Sequence, residues 1–124
     1  MIALPAMVGR WKAAWEALDP QAVAALYAPD GTHMSSVVRE RLGKEDATLR
    51  GPEEVLQYAT ASANTLKSFH ADIFNVIAEG NDETGRAAVE YWRILNGDEA
   101  NRMHVMEAMD WTGGKITSCR VFHF

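Results

Sequence analysis

Residues 86–124, RAAVEYWRILNGDEANRMHVMEAMDWTGGKITSCRVFHF, decide the fold of this chain. Apolar and aromatic residues recur there with a period of two, which predicts β-strands, and turn-forming residues separate the apolar runs. Together with the run before them they give four predicted strands: Phe69 to Ala78, Arg86 to Asn96, Arg102 to Trp111 and Ile116 to Phe124. Because the connections are short, neighbouring strands should pair antiparallel.

The chain before residue 69 follows a period near 3.6, which predicts helices. A first helix should span Pro5 to Leu18, and a second should start at the capping residue Asp19 and be stopped by the turn at Gly31. A third should open at Gly51, while residues 32–50 should form a short extended segment and a charged surface loop. Three N-terminal helices packed on one face of a curved antiparallel sheet give an α+β fold class.

Length and composition limit the classes of protein to which the chain can belong. Its 124 residues and 13.7 kDa suit one domain, residues 1–124. The net charge of −5 and the lack of a basic stripe argue against nucleic acid as a partner, and no apolar run is long enough for a membrane span. A single cysteine excludes an internal disulfide, so we expect a cytoplasmic protein. Neither a nucleotide-binding glycine motif nor a metal-ligand spacing occurs, so we expect no cofactor and no metal.

The last predicted strand carries apolar residues on both faces. Cys119 and Val121 share one face, whereas Ile116, Phe122 and Phe124 share the other. An antiparallel sheet with one solvated face alternates apolar and polar residues, so something besides the helices should cover the second face. We expect a homodimer that forms through the outer face of the sheet; the alternative is a monomer with a few exposed apolar residues.

Glu107 is the most informative irregularity in the sequence. It interrupts an alternating apolar stripe on the third predicted strand, formed by Met103, Val105, Met109 and Trp111. A carboxylate that faces an apolar interior has its charged form disfavoured and its pKa raised, so it can give or take a proton near neutral pH. The structural alternative is that Glu107 forms an ion pair, for example with Arg93 or Arg120, or that the register of the strand puts it at the rim.

Two of the four histidines are candidates for a second proton-transferring group, since imidazole titrates near pH 7. His33 follows the turn that ends the second helix, and His123 alternates with apolar residues on the last strand. His104 lies on the parity opposite Glu107 and should face outward. Glu90 lies on a strand whose two faces are equally apolar, so its direction stays open.

Three stretches together resemble one superfamily over nearly the whole chain: ALYAPDGT (residues 25–32), RGPEEV (residues 50–55) and DWTGGKITSCRVFHF (residues 110–124). The pattern is similar to the nuclear transport factor 2-like superfamily, which includes SnoaL-like and ketosteroid isomerase-like proteins. The resemblance implies a cone-shaped, cystatin-like α+β barrel with a deep apolar pocket and frequent dimers. It also implies isomerase, dehydratase, cyclase or epoxide hydrolase activity, or a member without activity.

The resemblance to ketosteroid isomerases puts Trp11 where that family has its oxyanion-hole tyrosine and Ser35 where it has its general-base aspartate. Glu107 falls on the second, protonated aspartate of that oxyanion hole. The resemblance to the epoxide hydrolases of the superfamily implies a different set of roles. His33 and Ser35 fall on their water-holding tyrosine and asparagine, and Glu90 falls on a strand aspartate.

The leading hypothesis is an acid/base enzyme of the isomerase, dehydratase or cyclase type that needs no cofactor and acts on a small apolar carbonyl-bearing or cyclic molecule. Glu107 would be the acid or hydrogen-bond donor, and His33 or His123 its proton-transfer partner. The alternative is a non-catalytic dimer of the same fold, either ligand-binding or structural. The residues expected to contact the substrate are Trp11, Trp15, Ser35, Tyr58, Glu90, Met109, Cys119 and Val121.

Overall fold

Four α-helices accompany the sheet in the computed structural model, which describes residues 2–124. They are α1 (Ala6–Glu16), α2 (Pro20–Ala25), α3 (Ser36–Leu42) and α4 (Gly51–Thr65), and a short 3₁₀ helix spans Glu99–Asn101. Within residues 2–124, none of the helices combines the length and the apolar character that crossing a membrane requires.

Local sequence explains where helices α2 and α4 begin. Asp19 caps α2, because its Oδ1 accepts a hydrogen bond from the backbone N–H of Ala22 at 3.1 Å. Pro20 suits the next position, since it has no N–H that would be left unpaired. Glu53 and Glu54 lie in the first turn of α4, where the helix dipole favours negative charge. Both starts agree with the sequence prediction.

Within the described chain, the sheet has six strands in the order β2-β1-β6-β5-β4-β3. Their bounds are β1 (Tyr27–Ser35), β2 (Thr48–Arg50), β3 (Phe69–Gly80), β4 (Thr84–Leu95), β5 (Met103–Thr112) and β6 (Lys115–His123). The run from β3 to β6 is the predicted antiparallel meander, whereas β1 pairs parallel with β6 and antiparallel with β2. The α+β class and the curved sheet are confirmed.

The region between α2 and residue 50 differs in part from the prediction of a helix that runs to the turn at Gly31, followed by a short extended segment and a surface loop. β1 already begins at Tyr27, because pairing with β6 prevails over the local helical pattern. Ser35 then caps α3, and Gly43 ends this helix in the left-handed conformation at φ 67°. The predicted surface loop is therefore helical as far as Leu42, and the three predicted helices become four.

Helices α1 and α4 pack on the inner face of the sheet and enclose an apolar core. The buried residues of β5 are those that the alternation predicted: Val105, Glu107, Met109 and Trp111. Ile116 is also buried, although strict alternation along β6 predicted the outer face. A register shift between Asp110 and Trp111 accounts for the difference, since one extra residue moves the start of β6 to the other face.

An outer aromatic cluster, formed by Phe74, Trp92, His104 and Phe124, covers part of the other face of the sheet. The ring centroids of His104 and Phe124 lie 4.7 Å apart, and those of Phe74 and Trp92 lie 5.9 Å apart. The Arg102 guanidinium lies 4.1 Å from the Trp92 ring centroid. Phe124 is 71% exposed, so the apolar outer face that the sequence predicted is present.

At Gly31, strand β1 lies so close to strand β6 that a side chain at this position would disrupt their pairing. A Cβ at Gly31 would lie 2.5 Å from the carbonyl oxygen of Ile116 and 3.0 Å from that of Ala28. We expect Gly31→Ala to lower the free energy of unfolding by about 1–3 kcal/mol, because paired backbone groups cannot move away freely. Chemical denaturation measures the change.

Gly9→Ala is the matched control, because a Cβ at Gly9 in helix α1 would meet no atom within 4 Å. The higher helix propensity of alanine should there raise the free energy of unfolding by about 0.5–1 kcal/mol. The same effect for both substitutions would contradict the close strand contact at Gly31.

Candidate functional site

A cavity of about 50 Å³ lies between the inner face of the sheet and helices α1 and α4. Among the described residues that line it, Arg41, Arg93 and Glu107 have side chains of the types that are ordinarily charged at pH 7. Most of the other lining residues are aromatic or apolar. Pockets for drug-sized ligands usually measure about 300–1,000 Å³. This cavity therefore suits a small molecule, or one end of a larger molecule.

Glu107 reaches the cavity from the middle of β5 and is 3% exposed. Its Oε1 accepts a hydrogen bond from the Tyr91 hydroxyl at 2.8 Å, and its Oε2 accepts one from the Cys119 thiol at 3.1 Å. Burial raises the pKa of Glu107, while those hydrogen bonds and the charge of Arg93 oppose the rise. No ion pair involves Glu107 within residues 2–124, so the structural alternative does not apply.

His33 lies beside Glu107, on β1, and is 4% exposed. Its Nδ1 is 2.8 Å from the Tyr27 hydroxyl oxygen, a hydrogen bond that orients the imidazole ring. Burial lowers the pKa of His33 from 6.5 to about 4, and burial also raises the pKa of the Tyr27 phenol. Both groups are therefore neutral near pH 7. When Tyr27 donates to Nδ1, the imidazole proton is on Nε2.

Two tryptophans of α1 and a tyrosine of α4 form the aromatic wall of the cavity. Trp11 packs edge-to-face on Tyr91 with ring centroids 5.3 Å apart, and Trp15 packs on Tyr58 at 6.3 Å. The Trp11 indole N–H is near enough to Glu107 to favour the ionised carboxylate, yet it is buried and completes no hydrogen bond with any group of residues 2–124. It is therefore a free donor beside the carboxyl group.

His123 lines the cavity from the end of β6, close to helix α3. Its Nε2 is 3.5 Å from Nη1 of Arg93, and its Nδ1 is 3.2 Å from the Ser36 hydroxyl oxygen. Because a guanidinium can only donate, Nε2 accepts and the imidazole is neutral. Burial and the charge of Arg93 lower the pKa of His123, and the charge of Glu40 partly offsets this.

The cavity brings together most of the residues predicted from the sequence. Its lining includes Glu107, His33, His123, Trp11, Trp15, Ser35, Tyr58 and Val121. Ser35 also caps helix α3, since its hydroxyl accepts a hydrogen bond from the Val37 N–H at 3.2 Å. Cys119 is fully buried and reaches the site through its hydrogen bond to Glu107, whereas Met109 belongs to the core.

Glu90 faces away from the cavity. Its Oε2 is 2.6 Å from Nε2 of His104 on the outer face, and its Oε1 accepts a hydrogen bond from the Asn75 amide at 3.3 Å. The neighbours Val89 and Tyr91 are buried, so alternation along β4 turns Glu90 outward. The prediction that Glu90 contacts substrate in this cavity is therefore wrong.

The contributors to the site that were not assigned from the sequence include Tyr27, Arg41, Tyr91 and Arg93. Tyr91 and Arg93 share the inward parity of β4, but the two faces of that strand are too similar in the sequence for the parity to be chosen. Tyr27 and Arg41 lie in the stretch predicted as a helix end and a loop. Strand alternation could not identify residues outside the predicted strands.

His33, Glu107 and Cys119 are the one group among residues 2–124 that could hold a metal ion. Their donor atoms lie within 4.8 Å of one another, and all three residues are buried. Imidazole, carboxylate and thiolate are all zinc ligands. Metal binding would require the Cys119 thiol to lose its proton, whereas burial raises the pKa of that thiol.

The burial of Glu107 should make the protein less stable as the pH rises above 4.5. The pKa of Glu107 in the folded state is raised above its ordinary value of 4.5, so as the pH rises the unfolded chain releases this proton before the folded protein does. The free energy of unfolding therefore falls as the pH rises from the unfolded-state pKa to the folded-state pKa. Glu107→Gln removes this titration. The unfolding free energy of the wild type minus that of the variant should therefore fall above pH 4.5 and be constant below it, as urea denaturation over a pH series will measure.

Glu90→Gln is the control and should give the opposite sign. Hydrogen bonds from His104 and Asn75 lower the pKa of Glu90, so its contribution to stability is present above the unfolded pKa and is lost as the pH falls. If the difference for Glu107→Gln were independent of pH over this range, the raised pKa would be contradicted.

Comparison with known protein families gives one match. The sequence profile of the SnoaL-like domain matches residues 8–119, from within α1 to within β6. Curated protein sequences gave no significant match. The match therefore includes Trp11, His33 and Glu107, and it ends at Cys119.

Three solved structures illustrate the range of proteins with this fold. A SnoaL-like protein of Burkholderia thailandensis has 20% identity and a TM-score of 0.76, over 94% of this chain and 89% of its own. A protein of Catenulispora acidiphila with a ketosteroid isomerase-like fold, solved in complex with trimethylamine, has 21% identity and a TM-score of 0.71, over 97% of this chain and 86% of its own. The orange carotenoid protein of Anabaena, solved with canthaxanthin bound, has 14% identity and a TM-score of 0.75, over 96% of this chain and 36% of its own.

At these identities the structural likenesses establish the fold alone. The sequence match, in contrast, covers most of the chain. The chain therefore belongs to the SnoaL-like family.

Proposed function

We propose that this SnoaL-like protein is an acid/base enzyme that works with its own side chains and without a cofactor. Its reaction is the isomerisation, dehydration or cyclisation of a small apolar molecule that carries a carbonyl group or a ring. The observation that carries the proposal is the state of Glu107. Its carboxyl group has a raised pKa and is held by two hydrogen bonds at a cavity lined by aromatic rings.

Glu107 acts as the acid, or as the hydrogen-bond donor, toward the substrate carbonyl. Burial favours its neutral form, which can donate, and hydrogen bonds from Tyr91 and Cys119 fix the orientation of the carboxyl group. A donor held in place stabilises the negative charge that develops on a carbonyl oxygen, because no solvent has to reorganise around it. The Trp11 N–H, which is unpartnered within residues 2–124, supplies a second donor.

His33 is the proton-transfer partner. Its imidazole is neutral, and one of its ring nitrogens lies within 4.8 Å of a Glu107 carboxyl oxygen. In the tautomer whose Nδ1–H donates to the Tyr27 hydroxyl oxygen, Nε2 is free to accept a proton. A substrate held against both groups can exchange a proton with either one. His123 is the other candidate, but its Nε2 is in contact with Arg93 and would have to leave that contact before accepting a proton.

A second candidate function is a non-catalytic protein that binds a small molecule or serves as a structural dimer. The cavity volume of about 50 Å³ favours the structural role, because most small-molecule sites are several times larger. Trimethylamine and canthaxanthin, bound in two proteins of the same fold, are compatible with a binding role as well as with catalysis. The two candidates differ in one respect: only the enzyme turns over its ligand.

We also propose that the protein forms a homodimer through the outer face of the sheet. The outer aromatic cluster is flanked by further exposed apolar residues, with Ile77 at 67% and Phe122 at 44% exposure. Burying apolar surface contributes roughly 25 cal/mol per Å², and such contiguous patches mark protein contacts. A two-fold dimer would bury the same patch on both copies.

A cytoplasmic location is part of the proposal. Cys119 is a free thiol whose hydrogen bond to Glu107 helps to hold the site. The site therefore depends on a reduced cysteine, and the cytoplasm keeps thiols in that state.

Glu107→Gln should abolish turnover and leave the fold intact, because glutamine keeps the shape of the side chain but cannot give up a proton. A thermal-shift screen of the wild type and this variant against steroids, phenols, terpenoids and small aromatic polyketides identifies the ligand class. A ligand at about 100 times its Kd should add roughly 2.7 kcal/mol to the stability of the wild type. Compounds that stabilise the wild type are then assayed for turnover with both proteins.

Glu90→Gln is the matched control, because Glu90 lies on the outer face. It should leave both the ligand-induced shifts and the turnover unchanged. Turnover by Glu107→Gln at the wild-type rate would contradict the acid role. Ligand binding without any turnover by the wild type would favour the second candidate function.

The wild type should sediment as a dimer, and Phe74→Asp combined with Phe124→Asp should convert it to a monomer. Both substitutions place charge within the outer aromatic cluster, where burial in a dimer would desolvate it. Leu42→Asp on helix α3 replaces a residue that is 46% exposed and should leave the dimer intact. A wild type that sediments as a monomer at micromolar concentration would exclude this dimer.

A further inference from the structure

The charged residues that line the cavity are unbalanced. Arg41 and Arg93 are cationic, whereas Glu107 is the one carboxyl group among the described lining residues, and burial favours its neutral form. The chain as a whole carries a net charge of −5. The cavity thus has two arginines without a paired carboxylate, although the chain as a whole is negatively charged. This local positive charge indicates an anionic ligand.

Arg93 lacks a partner suited to its charge. Its Nε is buried and forms no hydrogen bond within residues 2–124. Its Nη1 lies 3.5 Å from Nε2 of His123, and its Nη2 lies 3.4 Å from the sulfur of Met103. A neutral imidazole and a thioether are weak partners for a guanidinium, which pairs best with a carboxylate or phosphate through two parallel bonds. A partly desolvated cation in such surroundings favours the binding of an anion.

Arg41 reaches the same cavity from the exposed helix α3. Its Nη1 donates to the Ser62 hydroxyl at 3.1 Å, and in the described part of the chain no carboxylate lies within 4 Å of it. The adjacent Glu40 is exposed and its charge acts on His123. Arg39, on the same helix, donates to a backbone carbonyl and does not line the cavity. Arg41 is thus the cation that α3 contributes to the site.

The positive charges of Arg41 and Arg93 both influence the same group in the cavity, the phenol of Tyr58. Burial raises the pKa of Tyr58, and the charges of Arg41 and Arg93 both oppose that rise. The lining around them is apolar and includes Trp15, Leu66, Phe69 and Leu95. A ligand with an anionic group next to an apolar body would match both kinds of lining.

We infer that the cavity binds a small carboxylic acid, whose carboxylate lies between Arg41 and Arg93 and whose apolar part extends toward Glu107. The inference rests on the proposed function, since it names the substrate class of the same site. A carboxylate is planar and compact, so it matches the guanidinium fork within a cavity of about 50 Å³. The carboxylate anchors the molecule, and Glu107 and His33 act on the other end.

Calorimetric titration with two matched pairs, butyrate against butyramide and benzoate against benzamide, tests the inference. Each pair keeps the apolar part of the ligand and removes the charge. The wild type should bind at least one of the acids about tenfold more tightly than its amide, as expected for charge-assisted hydrogen bonds, and added salt should weaken the acid alone. Arg41→Gln and Arg93→Gln should each remove about this tenfold advantage and leave the amide affinity unchanged.

Arg39→Gln is the matched control, because it removes the same charge from the same helix outside the cavity. It should leave the affinity for both acids unchanged. Because Arg41 is exposed, the Arg41→Gln variant should fold normally. If Arg93→Gln is unstable, the binding measurements with Arg41→Gln still test the inference. Arg93→Lys keeps the charge without the fork and should retain only part of the affinity for the acid.

Several results would overturn the inference: no binding of either acid, equal affinity for acid and amide, or an equal loss of affinity with Arg39→Gln. Inorganic phosphate that binds as tightly as butyrate would also overturn it, because the apolar part would then contribute nothing. If neutral compounds bind in a manner that requires Glu107 while no acid binds, the inference fails and the proposed function stands. If acids bind through the arginines but Glu107→Gln changes neither binding nor turnover, the ligand class stands and the acid role fails.

Discussion

The Glu107 carboxyl group has to be accommodated among aromatic rings, where ionising it is costly and leaving it without partners is also costly. Tyr91 on β4 and Cys119 on β6 satisfy its two oxygens from opposite sides. In the strand register Glu107 lies opposite Val89 and Val121, so both partners are its diagonal neighbours. A slip of one residue in either pairing would turn the partner to the outer face. The requirement to satisfy one carboxyl group therefore constrains the register of three strands.

The interior of the site and its rim differ in charge. Burial favours neutral forms of both Glu107 and His33, while Arg41 and Arg93 keep their charges closer to solvent. Direct transfer of a proton from the acid to the imidazole would create two buried ions, which is costly in such surroundings. Transfer becomes favourable when the substrate itself takes up or releases the charge. The neutral resting state thus suppresses proton exchange within the protein and leaves the two groups available to a bound molecule.

Alternation along the strands was enough to predict the meander and the inward direction of Glu107. It left the direction of His123 open, because the last strand carries apolar residues on both faces. Alternation could not decide the direction of Glu90, because both faces of its strand are apolar in the sequence. Only the contact with His104 in the structure shows that Glu90 faces outward. The start of strand β1 at Tyr27, before the predicted extended segment, was also beyond local reasoning. Its pairing with β6 depends on residues at the other end of the chain, and no periodicity within residues 27–35 encodes it.

The parallel pairing of β1 with β6 also has a consequence for the order of folding. His33 lies opposite Cys119, so the wall of the cavity that contains His33 closes only when the first and the last strands meet. Contacts between such distant segments carry a large entropic cost of loop closure and form late. During synthesis β1 leaves the ribosome long before β6 is made, and until then His33 and Glu107 have no common cavity. The site therefore assembles only after translation has delivered β6, and a chain that still lacks β6 exposes its aromatic residues without gaining the site.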